Sequence, residues 1–400
     1  MSTAARPSWF QRFLLPGFAF KAVIIGGGYA TGRELAEFFL PSGPWGGIAA
    51  MLLATVIWSG VCVATFVFAR RVGARDYRSF FESLLGRGWI VFEAAYLLFV
   101  VLILAVFGAA AGAIGNAMFG VPAIAGTLAL MIAIACFVMF GNASVERLFK
   151  YVSFLLYAVY AIFIVLAITH FGDRIAEGFR SDAPADGWAV GGVTYASYNI
   201  IGAVVILPVL RHMTSDRDAV VAGLIAGPLA MIPALLFFIS MIAFYPAIAS
   251  ETLPSDFLLQ RFDLPVFHGI FQFMIFCALL ESGTGAVHAV NERIARAWQA
   301  RRGVAFSTSG RLFTALTLLV VCMFIADRFG LVALIAKGYR ALAYIFLAVY
   351  VLPLLTLGVG RLWREKHSPL RHSREGGNPA TLLFDETKES EGTGFPPSRE

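Results

Sequence analysis

Long apolar runs recur along the chain as far as Gly360, divided by short stretches where polar and charged residues gather. About 20 apolar residues at 1.5 Å rise cross the roughly 30 Å hydrocarbon core of a bilayer. On that measure ten runs read as spans: Leu14–Leu40, Trp45–Ala69, Trp89–Gly115, Val121–Phe140, Leu148–His170, about Ala189–Leu210, Ala219–Phe244, Pro265–Val290, about Leu312–Ala326 and about Gly338–Gly360. Residues 70–88, between spans two and three, are basic and carry Tyr77, Phe80, Phe81 and Leu84 at helical spacing. That pattern predicts an interfacial amphipathic helix. Two connections are longer and acidic, 171–188 with Asp173, Glu177, Asp182 and Asp186, and 245–264 with Glu251, Asp256 and Asp263. The stretch 327–340, with Lys337 and Arg340, reads as the connection between spans nine and ten.

Lys and Arg concentrate in the loops after the even-numbered spans. The positive-inside rule then puts those loops and both termini in the cytoplasm. The predicted organisation is an N-terminal segment at 1–13, a transmembrane domain at 14–362 and a disordered tail at 363–400. The tail is polar and interrupted by Gly376-Gly377, Pro379, Pro396 and Pro397, a composition that does not build a core.

Composition agrees. Of 400 residues, 59% are hydrophobic and 14% charged, and the mean hydropathy is +0.77. A soluble chain this apolar has too little polar surface to cover itself. The net charge of +6 sits in loops on one side, which membrane topology explains without nucleic acid. The cysteines Cys62, Cys136, Cys277 and Cys322 all fall inside apolar runs, with no metal or disulfide spacing. Arg6 and Arg12 before an apolar run mimic a signal peptide, but Pro16-Gly17 and Lys21 interrupt that run, so it reads as a retained first helix.

One stretch departs from the pattern. Gly26-Gly27-Gly28-Tyr29-Ala30-Thr31-Gly32-Arg33-Glu34 lies in the middle of span one. Each glycine costs roughly 1 kcal/mol against alanine in a helix, and a mid-membrane charge costs at least ~2.5 kcal/mol. Close helix packing accounts for the glycines but not for Arg33-Glu34. A helix that breaks at the midplane and restarts with charge is a device of secondary transporters. Span six carries a second polar, glycine-containing stretch, Gly191-Gly192-Val193-Thr194-Tyr195-Ala196-Ser197-Tyr198-Asn199. In a five-plus-five inverted repeat (about 14–170 and 189–360), span six is the partner of span one, and paired interruptions mark a midplane binding site.

At such a site, amides near Ala30 and Thr31 at the start of the outer half-helix suit a substrate carboxylate. Carbonyls near Tyr195–Asn199 suit an ammonium group. The candidate substrate-binding residues are Gly28, Tyr29, Ala30, Thr31, Gly32, Tyr195, Ser197, Tyr198 and Asn199. Glu281 is a further buried charge, about sixteen residues into span eight, placed to carry a proton.

Gly28-Tyr29-Ala30-Thr31-Gly32-Arg33-Glu34-Leu35, followed by Glu37-Phe38-Phe39, resembles the first-span signature of the YkvI-like bacterial membrane proteins, and Tyr195-Ala196-Ser197-Tyr198-Asn199 is similar to their sixth span. That family is grouped with the amino acid–polyamine–organocation superfamily. The resemblance implies an all-α polytopic protein of about ten transmembrane helices, with a LeuT-like five-plus-five inverted repeat and broken helices one and six. It implies a small amino-acid-like or amine substrate moved by alternating access, with spans one, two, six and seven rocking against the rest. By the same similarity, Arg33 with Glu34 stands at an outer gate, and Ser282 and Thr284 beside Glu281 stand at a Na⁺ site. Na⁺ and H⁺ both remain open as the coupling ion. The expected setting is the bacterial inner membrane, with the lipid bilayer and a small molecule as partners and no other cofactor. The rivals are a membrane receptor or scaffold and, behind it, an intramembrane enzyme, for which no HExxH or paired aspartates occur in the spans.

Overall fold

The computed structural model describes residues 7–140 and 142–367; the tail expected at 363–400 falls outside these from residue 368 on. Every regular element among the described residues is helical. Span one is three pieces, α1 (Leu15–Ile24), α2 (Gly27–Ala30) and α3 (Arg33–Phe38). Then follow α4 (Gly43–Val72), the short α5 (Tyr77–Leu85), α6 (Trp89–Phe119), α7 (Ala123–Phe140) and α8 (Asn142–Gly178). Span six is α9 (Trp188–Asn199) and α10 (Gly202–Val205). The rest comprises α11 (Asp216–Ile242), α12 (Pro254–Gln260), α13 (Pro265–Arg302), α14 (Thr308–Ala333), α15 (Arg340–Phe346) and α16 (Val359–His367). Six helical runs are long and apolar enough to cross a bilayer. Apolar runs one and six are broken, run four is the shorter α7, and runs nine and ten join through a single non-helical residue, Gly330.

α4 packs along α11 and α9, and α1 packs along α11, so spans one, two, six and seven form one bundle. α6 lies against α7 and α14, and α8 against α13. At the end with the basic loops the first group is lashed together. Arg12 forks onto Asp218 at 2.6 and 2.8 Å, while Arg70 and Arg71 both reach Asp216. Asp218 also takes hydrogen bonds from the Thr214 amide and the Thr214 and Ser215 hydroxyls, all at 2.8 Å.

Three expectations change. The apolar face of α5 is covered by protein: Phe81 stacks on Phe92 at 3.6 Å between ring centroids, and Phe80 meets Phe68 edge-on. Asp76 caps this helix by accepting from the Ser79 amide. The loop expected at 327–340 reduces to the kink at Gly330, so Lys337 and Arg340 stand on helical backbone. The acidic connection 245–264 is itself ordered, folding as a short helix at Ala247–Ser250 and as α12.

Candidate substrate and ion site

Span one leaves helical geometry twice. Ile25 turns out of α1 at ψ 81°, and the Gly26 amide folds back on the Ile24 carbonyl at 2.7 Å. After the single turn of α2, Gly32 takes φ +77° and α3 begins. That left-handed conformation is cheap only for glycine. Thr31 stitches the second break, its hydroxyl donating to the Gly28 carbonyl at 3.0 Å and accepting from the Arg33 amide at 3.4 Å.

In span six the break falls later than the glycine pair suggests. Gly191 and Gly192 lie inside α9, where a Cβ would strike the Phe38 and Ala50 carbonyls; they serve close packing. At Ile200–Ile201 the backbone stays right-handed but α-helical hydrogen bonding gives way to tighter turns, Ala203 donating to the Ile200 carbonyl, and α10 resumes at Gly202. Some of the carbonyls on this face of α9 are engaged by side chains. Val193 accepts from the Ser197 hydroxyl at 2.6 Å, Tyr195 from the Asn199 amide at 3.2 Å, and Ala196 from the Trp58 indole at 3.0 Å.

The two breaks meet at one small cavity. Gly26 and Glu34 of span one, Tyr198 and Asn199 of span six, Phe99 of α6 and Tyr339 beyond Gly330 line it. About 10 Å³ is open to the centre of a water molecule, roughly room for one water. Glu34 is 3% exposed and accepts from the Tyr198 hydroxyl at 2.5 Å. Its carboxylate folds back over Gly28, filling the place a Cβ would take. The Glu34 side chain, expected beside Arg33 at an outer gate, thus lies at the central cavity. Three of the amides around the place proposed for a substrate carboxylate are taken: Ala30 donates to the Gly26 carbonyl, Gly32 to the Tyr29 carbonyl and Arg33 to the Thr31 hydroxyl. We expect Gly28→Ala to push the Glu34 carboxylate off Tyr198 with little loss of folding, because only a flexible side chain must move. A Tyr198 ring resonance unchanged by the substitution in ¹³C-labelled protein would refute this.

Arg33 does stand at the end with the acidic loops. Its guanidinium, 5% exposed, donates to the carbonyls of Ala249 and Glu251 at 3.0 and 2.8 Å and to the Glu37 carboxylate at 2.9 Å. Arg340 approaches the other Glu37 oxygen at 3.8 Å. The Ser255 amide bonds the Thr31 carbonyl at 3.0 Å, so the ordered 245–264 connection is drawn down over the second break. Tyr29 faces elsewhere, into a mostly apolar cavity of ≈ 310 Å³ with Lys21, Tyr157, Tyr160 and Pro233.

Glu281 and Ser282 line a separate cavity of ≈ 50 Å³ with Ala22 and Ile25, at the end of α1. Thr284 is not on that wall; its hydroxyl is buried without a hydrogen-bond partner among the described residues. Glu281 forms no ion pair with Arg33, and Lys21 lies instead over the Tyr157 ring at 4.1 Å. A further cavity of ≈ 470 Å³, unmarked in the sequence, lies at the basic end. There Arg293 stacks on Tyr96 at 3.6 Å and approaches Glu93 at 3.7 Å.

No family model matches the chain. It is 23% identical over 346 residues to the uncharacterised membrane protein YkvI of Bacillus subtilis (strain 168), an alignment covering 83% of this chain and 92% of that one. Solved structures share its fold. MhsT in complex with L-phenylalanine aligns with a TM-score of 0.52 at 19% identity, covering 89% of this chain and 88% of that one. A Na⁺-coupled sialic acid symporter in a substrate-bound outward-open state aligns at 0.56 and 13%, covering 86% and 79%. The manganese transporter of Eremococcus coleocola aligns at 0.51 and 18%, covering 85% and 77%. The chain thus has the all-α, LeuT-like membrane fold, and its resemblance to YkvI extends over most of its length.

Proposed function

We propose that this membrane protein is an ion-coupled secondary transporter that moves a small amino-acid-like or amine solute by alternating access. One observation carries the reading: two helices, corresponding in the repeat, break beside the same buried cavity. A packing interface has no use for a carboxylate there, and neither does a scaffold. The latch that Arg33 makes at the acidic-loop end supports it too. The transporters that share the fold add to this support. The manganese cargo is not carried over, since the described lining of the central cavity offers one carboxylate and no His or Cys.

The basic loops and both termini are assigned to the cytoplasm of a bacterial inner membrane by the positive-inside rule. α1–α3, α4, α9–α10 and α11 move as the rocking unit. The coupling cation, Na⁺ or H⁺, is taken by Glu281 and Ser282, whose oxygens adjoin the end of α1. A hard-oxygen set suits Na⁺, and a carboxylate with no described ion partner suits a proton.

The test is solute uptake into proteoliposomes under an imposed Na⁺ or H⁺ gradient. Uptake should follow one of the two gradients. Glu281→Gln should reduce gradient-driven accumulation at least tenfold and spare solute exchange at equal ion concentrations. Uptake indifferent to both gradients would overturn the coupling.

A further inference from the structure

We infer that the central site is selective for an organic cation, an amine without a carboxylate, with Glu34 as its counter-ion. The inference rests on the transporter reading and narrows its substrate. An α-amino acid needs two docks at such a site, one for each charge. The anion dock is obstructed by the protein itself. The amides of Ala30, Gly32 and Arg33 are bonded internally, and the carboxylate of Glu34 lies over the α2 turn at Gly28. A substrate carboxylate arriving there meets a like charge in a buried place, which is unfavourable.

The cation dock, by contrast, is built, in a cavity that widens beyond its ≈ 10 Å³ when an amine enters. None of the ion pairs among the described residues includes Glu34. Its one hydrogen bond comes from a neutral hydroxyl, that of Tyr198. Buried charges are ordinarily paired, so the place for a positive group beside Glu34 is unfilled by the protein. The walls are aromatic: Phe99, Phe107, Tyr198 and Tyr339 all line the cavity, and the last two stack at 4.5 Å between centroids. Ring faces attract ammonium groups, quaternary ones included. Tyr195, in edge contact with Tyr198, is fully buried and its hydroxyl has no partner among the described residues. The Val193, Tyr195 and Ala196 carbonyls of span six are engaged within the protein, and the Glu34 carboxylate is the charged group of the described lining that receives the cation.

The experiment uses matched pairs that differ only in the carboxylate: methylamine and glycine, ethylamine and alanine, phenethylamine and phenylalanine. Binding to the purified full chain is measured by titration calorimetry, and uptake of the same compounds is measured in proteoliposomes. At least one amine should bind, with its amino acid at least tenfold weaker. Glu34→Gln should weaken that amine by ~100-fold, and Glu34→Asp should recover part of the loss. Tyr198→Phe keeps the carboxylate and should keep amine affinity to within about tenfold, which separates loss of charge from general damage to the site. If an amino acid binds as tightly as its amine, or Glu34→Gln leaves amine affinity intact, the cation selectivity is wrong. Transport itself still stands if the bound amino acid is taken up along a gradient. If no compound binds and none is taken up, both readings fall.

Discussion

Arg33→Gln should unlatch the acidic-loop end of the protein. The guanidinium holds two carbonyls of the 245–264 connection and the Glu37 carboxylate from a position only 5% exposed. Glutamine is too short to span these acceptors and carries no charge, so Glu37 is left with Arg340 at 3.8 Å. Removing one partner of a buried, hydrogen-bonded ion pair costs about 3 kcal/mol. Converted entirely into the balance between closed and open forms, that is roughly a hundredfold. Ser255 is a suitable reporter, because it belongs to the connection, is fully buried and holds the Thr31 carbonyl through its amide. In a Ser255→Cys background, a membrane-impermeant thiol reagent should label the Arg33→Gln protein at least tenfold faster than the parent. The native cysteines set the background, with Cys62 and Cys322 buried. Equal labelling rates would show that Arg33 does not hold this end shut. Arg33→Lys should behave more like glutamine than like arginine, since an ammonium point charge cannot fork across three acceptors.

Much of this arrangement is legible in the sequence where a residue works against its local setting. Gly32 and the Arg33-Glu34 pair are wrong for a continuous membrane helix, and there the backbone does break. The basic residues beside spans mark one end, and Arg12, Arg70, Arg71 and Arg293 do gather at that end. What fails is the choice between two causes of one signal. Glycines spell either a break or a close approach. Gly26 and Gly32 do the first, whereas Gly191 and Gly192 do the second. The real interruption in span six, at Ile200–Ile201, is apolar and β-branched and carries no local mark. Charge near a helix start likewise has a local reading, a favourable dipole, and a distant one. Glu34 follows the distant one, meeting Tyr198 across 164 positions of sequence. Tyr339 joins the same cavity from a stretch whose charges read as a loop, because Arg340 can face outward from a helix toward Glu37.

Trp58→Ala should produce the largest loss of stability of any single change at the central bundle. Trp58 is fully buried on α4, meets Phe20 of α1 edge-on at 5.7 Å, and lies 5.5 Å from the Tyr195 ring of α9. Its indole also donates to the Ala196 carbonyl at 3.0 Å. One side chain thereby ties span two to both broken spans, although an aromatic in an apolar run is indistinguishable by sequence from ordinary packing. Between helices in lipid, contact and hydrogen bonding hold the bundle, since lipid offers no hydrophobic drive. Emptying a site this large costs about 3 kcal/mol or more, and the abandoned carbonyl adds a further ~1 kcal/mol or more. Trp58→Phe separates the two contributions, keeping a ring against Phe20 and removing only the donor. In thermal unfolding of purified protein, the order of midpoints should be parent, then Phe, then Ala, with the larger step between Phe and Ala. If the Ala variant melts with the parent, spans one, two and six are not bound into one unit through Trp58. Gradient-driven uptake adds a second reading of the same contact. A rocking unit transmits the opening of one end to the closing of the other only while its helices move together. The Phe variant, still packed, should therefore retain more coupled uptake than the Ala variant at temperatures where both remain folded.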